Sequence, residues 1–97
     1  MPEAKPLPDD AVLVRTTAVF DEESVPAGLL RAHRVADGVW GRLVVHRGTL
    51  DFLFEDEPEA PITLAAGDSV VIPPAVPHRV VLTGSTAFAV EFHRVGS

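Results

Sequence analysis

The sequence predicts an all-β fold, a single-domain barrel, on three observations. Short apolar runs recur between turn signals about every 8–12 residues, the spacing of sandwiches and barrels. Leu50, Phe52 and Phe54 alternate with polar or outward residues, the strand period, and so mark one core face. No segment keeps a helical period over two turns.

Each element follows from its punctuation. Residues 1–10 are rich in proline and acid without periodicity and read as a flexible lead-in, leaving residues 11–97 as the one domain. An apolar, Thr-rich strand covers 12–20. The Asp21-Glu22-Glu23-Ser24 turn, with Pro26 and Gly28, then leads into 29–34. Asp37-Gly38 turns the chain into a strand over 39–46, Arg47-Gly48 turns it again, and the Leu50, Phe52, Phe54 strand follows. Its opposite face carries Asp51 and Glu55, as in a sheet wet on one side. Residues 55–61 form an acidic hairpin loop, 62–64 a short strand, and Gly67-Asp68 a tight turn into Val70, Val71 and Ile72. Pro73, Pro74 and Pro77 cannot donate to a ladder, so the chain leaves the sheet and re-enters it at His78, with Val80 and Leu82 on the same side. Thr83-Gly84-Ser85 is read as a turn, and the last strand spans 86–94.

Composition removes several classes of function. The chain has no cysteine, so disulfides, thiolate zinc sites and cysteine nucleophiles are excluded, and any metal must use imidazole, carboxylate or water. A net charge of −6, from 14 acidic and 8 basic residues, opposes phosphate tracking, and nucleic acid is discounted as a partner. No apolar run reaches the ~20 residues of a membrane span, and the first residues lack the pattern of an export signal; no membrane partner and a cytoplasmic location are expected. The serines lie in turns, at a strand start and at the terminus, without a nucleophile-elbow context.

The segment from Gly67 to His78 is the most specific signal. Gly67, five residues, Pro73, four residues and His78 resemble the second motif of the cupin superfamily, with Ala75 where that motif prefers glycine and Leu82 where asparagine is usual. That resemblance implies a cupin (RmlC-like) jelly-roll barrel with His78 just inside its mouth. His33 lies where the first cupin motif falls and is its natural partner. The usual first motif has two histidines, then a glutamate seven residues before a glycine; counting back from Gly48 reaches Gly41, and one histidine alone lies upstream. A third ligand must come from elsewhere. Glu91 is the candidate, because a carboxylate in the apolar strand around Phe88, Val90 and Phe92 is expensive to bury without a cation. Parity leaves its side open: if the phenylalanines fill the barrel, Glu91 and His93 point outward. His46 faces out by its parity against Leu43 and Val45. Trp40 and Arg42 are candidates for the wall and rim of a ligand pocket, with core packing and a solvated ion pair as the alternatives.

Taken together, Leu7-Pro8, the 24–30 segment Ser-Val-Pro-Ala-Gly-Leu-Leu, Ala32-His33, Trp40-Gly41-Arg42-Leu43, Pro73-Pro74, Pro77-His78-Arg79-Val80 and Glu91-Phe92 resemble the DUF1971 family, the small TehB/YeaR-like cupin domains. Some members are fused to tellurite-resistance methyltransferases. The resemblance runs from Leu7 to Arg94. It implies a divalent metal near His33 and His78, zinc first and iron or nickel next, and it implies no reaction. From it we expect a stand-alone cupin, homodimeric, binding a metal and a small molecule in a tellurite-type or other stress response. A mononuclear-metal oxygenase or isomerase and a metal-free interaction module stand as alternatives.

Overall fold

The computed structural model describes residues 7–26, 38–57 and 59–95. Among these there is no helix, and so none long and apolar enough to cross a membrane. Six strands form one antiparallel sheet: β1 (Ala11–Thr16), β2 (Phe20–Asp21), β3 (Val39–Phe54), β4 (Ile62–Ala65), β5 (Ser69–Ile72) and β6 (His78–Val95). The 29–34 segment, into which the turn after residue 24 was expected to lead, lies outside the described residues.

Two long strands organise the rest. β3 and β6 pair antiparallel along their length, from Val39 opposite Arg94 to Phe54 opposite His78. On the free side of β3, its first half pairs with β5 and its second half with β4; on the free side of β6, β1 and β2 pair with its C-terminal half. The expected strand over 12–20 is thus two strands. Where the chain departs between them, Thr17 keeps the ladder closed: its N–H donates to the carbonyl of Val90 at 2.9 Å and its Oγ1 accepts from the Val90 N–H at 3.0 Å.

Arg47-Gly48 and Thr83-Gly84-Ser85, both expected to be turns, instead interrupt the register of continuous strands. His46 is the extra residue of a β-bulge, exposed as its parity requires. The bulge explains a change of parity: Leu43 and Val45 face the core before it, Leu50 and Phe52 after it. Opposite it, three residues of β6 face Thr49 alone. The two irregularities meet at Gly48, which has φ +71° and whose Cβ, if present, would overlap the carbonyl oxygen of Ser85. Thr86 is fully buried there, its Oγ1 donating to the Arg47 carbonyl at 3.0 Å.

The core lies on one face of this folded sheet. Leu43, Val45, Leu50, Phe52, Leu64, Val70, Ile72, Val80, Phe88 and Val90 form one buried cluster, drawn from four strands, β3 to β6. Phe88 is wholly buried and meets Phe20 edge-to-face at 5.8 Å, so the phenylalanine side of β6 does fill the interior.

Candidate functional site

The proline segment delivers His78 to the interior. Ala75 adopts φ 61°, a left-handed conformation that explains why glycine is favoured at this point of the turn. The chain then closes back on β3, where the Glu55 N–H donates to the Pro77 carbonyl at 2.9 Å. His78 is the first residue of β6 and is 3% exposed. It pairs with Phe54 and stacks on Phe52 with centroids 5.4 Å apart and rings 21° from parallel. Phe52 belongs to the core cluster, so His78 is on the inner face.

Its ring is also fixed in tautomer. Nδ1 lies 2.9 Å from the carbonyl oxygen of Val76, and a carbonyl can only accept. Nδ1 therefore carries hydrogen, and in the neutral ring Nε2 carries the lone pair. Metal-bound histidines are held in this way, by a backbone carbonyl on the other nitrogen. His33, the expected partner, lies outside the described residues.

Glu91 is on the other face. It is opposite Arg42 in the ladder, one position from the core pair Leu43 and Val90, so alternation turns both side chains outward. Arg42 Nη1 donates to Glu91 Oε1 at 3.2 Å and reaches Oε2 at 3.4 Å. His93, also on this face and 9% exposed, donates from Nε2 to the same Oε1 at 3.1 Å. The burial cost that singled out Glu91 is met by a cation and an imidazole of this chain. Trp40 is opposite His93 and so belongs to the same outer patch. The structure thus brings together Trp40, Arg42, Glu91 and His93, and separates all four from His78 by the thickness of the sheet. Among the described residues, no three His, Asp or Glu side chains form a group that could hold a metal ion.

A third polar cluster braces the corner between the halves of the barrel. Glu22 Oε1 accepts from the Thr86 N–H at 3.1 Å and lies 3.7 Å from Arg47 Nη2. Its carboxyl is held below the usual range by its own backbone N–H and by that of Thr86. Asp21 is lowered likewise, first by the N–H of Glu23 and then by that of Ser24, which closes the turn after β2. Sequence spacing alone offered no signal for this clip, since Glu22 and Thr86 are distant in the chain.

Three comparisons bear on identity. The TehB-like domain model matches residues 15–90. Among solved structures, a protein of Escherichia coli K12 superposes with a TM-score of 0.84 at 26% identity, covering 96% of this chain and 99% of that one. TehB from Haemophilus influenzae gives 0.80 at 21% identity over 90% of this chain, which spans 32% of that protein. A cupin-2 domain protein from Shewanella frigidimarina gives 0.52 at 24% identity, covering 94% and 78% of the two chains, a likeness of fold. No curated protein matches the sequence. Fold, turn chemistry and family model agree: the chain has a cupin-type fold and belongs to the TehB-like domain family.

Proposed function

We propose that this TehB-like cupin holds a divalent cation on its inner face through His78 and His33, and through the cation a small polar ligand. The observation that carries the reading is the His78 ring: buried on the inner face, stacked on Phe52, and oriented by the 2.9 Å contact of Nδ1 with the Val76 carbonyl. The donor set fits a borderline metal that accepts imidazole, zinc before iron or nickel, since the chain has no thiolate. A cation so bound would supply a Lewis-acid centre for an oxygen or nitrogen atom of the ligand. This chain's own part is to hold imidazole orientation and to keep apolar walls around it. Glu91 has no share in that site, because it faces outward, where Arg42 and His93 already hold its carboxylate. Similarity to TehB motivates a role in a tellurite-type or related stress response in the cytoplasm.

Metal content decides the matter. Protein exposed to zinc and then exhaustively dialysed should retain about one equivalent per chain. His78→Ala and His33→Ala should each lose it, whereas Glu91→Gln should keep it. Equal metal in the wild type and His78→Ala, or none in the wild type, contradicts the proposal.

A further inference from the structure

Among the described strands, β1 is the one that exposes a continuous apolar run. Val12, Leu13 and Val14 are 62%, 52% and 59% exposed. Of the five exposed large apolar side chains among the described residues, four lie from Val12 to Val19, which sets the patch at this border of the sheet. β1 is also terminal in the strand order, and among the described residues no strand pairs with its outer edge. Open edges of this kind recruit another strand unless charge, proline or a bulge guards them. Here the one charged residue of β1 is Arg15, and the register irregularity at Val14 lies at the same end.

We infer that β1 pairs antiparallel with β1 of a second copy of this chain, joining the two sheets edge to edge. Two-fold symmetry requires a residue at the axis to face its own counterpart. Centred on Val12 or Leu13, the pairing sets aliphatic residues against one another across the axis. Both registers bring Arg15 of one copy beside the exposed Asp9-Asp10 turn of the other, and symmetry repeats that opposite-charge contact. A chain of net charge −6 repels its copies elsewhere, so this local complementarity selects the site. Leu13, His93 and Trp40 are ladder partners in one row across β1, β6 and β3. In the dimer this row runs up to the axis, and the Arg42, Glu91 and His93 networks of both copies share one surface.

An interface built on one short strand belongs to the small, weak class, so association must be followed over concentration to about 100 μM, by sedimentation velocity. Wild type should pass from monomer to dimer in that range. Leu13→Lys should raise the dissociation constant at least about tenfold, by placing like charges at the axis, with unchanged circular dichroism and melting temperature. Arg15→Glu should weaken the dimer, and adding Asp9→Arg with Asp10→Arg should restore it; this charge-swap arm decides the question if Leu13→Lys fails to fold. Val81→Lys, at the exposed apolar residue far from β1, should change nothing. A wild type that stays monomeric, or a dimer indifferent to Leu13→Lys and to Arg15→Glu alike, overturns the inference.

Discussion

His78 and His93 sit on the same strand and are both nearly closed to solvent, yet their surroundings assign them opposite chemistry. His78 opens β6 on the inner face, against Phe52, and its Nδ1 hydrogen goes to a neutral carbonyl. His93 lies near the far end of β6 on the outer face, and its Nε2 donates to a carboxylate that Arg42 also holds. A carbonyl on Nδ1 can only accept and so sets the tautomer of the His78 ring, whereas the carboxylate of Glu91 takes the Nε2 hydrogen of His93. Burial and residue type are alike, so the partner, which strand register supplies, decides which imidazole can serve as a ligand.

The largest expected break in this comparison is Phe52→Ala. It removes a wholly buried aromatic ring from the core and the surface on which His78 stacks, and should cost about 3–5 kcal/mol in denaturant unfolding. Metal retention should fall with it, while the spectroscopic signature of His93 persists in the folded fraction. A cost under about 1 kcal/mol would show that the inner face is loosely packed.

A smaller effect sharpens the outer side. Arg42 and Glu91 are 39% and 23% exposed at their side chains, so solvent screens the pair and the coupling energy from an Arg42→Met, Glu91→Gln double-mutant cycle should be about 1 kcal/mol. Neither substitution should alter metal content. Coupling near zero would reduce the cluster to a surface ion pair, and metal loss in Glu91→Gln would return that carboxylate to the inner site.

Much of the inner face was legible because it rests on local chemistry. The alternation of Leu50, Phe52 and Phe54 marked the core side, and three prolines before His78 announced a turn that re-enters the sheet. The outer face was not legible, because it depends on non-local register. Phe88, Val90 and Phe92 alternate with Ala89, Glu91 and His93, and small alanines beside large neighbours are buried as deeply as the core: Ala89 is 4% exposed and Val90 6%. Composition along β6 therefore could not distinguish its two sides. Glycine misled for a related reason. Gly48 and Gly84 give the same signal whether the chain reverses or bends, and the close approach of Ser85 to Gly48 exists only once β3 and β6 are paired.

The imidazole nitrogens themselves give the most direct test. Long-range proton–nitrogen NMR on the metal-free, nitrogen-15-labelled protein should show His78 as the neutral Nδ1–H tautomer, and stoichiometric zinc should shift its Nε2 while leaving both nitrogens of His93 in place. If zinc moves the His93 signals, or if His78 is found as the Nε2–H tautomer and ignores the metal, the assignment of the inner face as the ligand site is wrong.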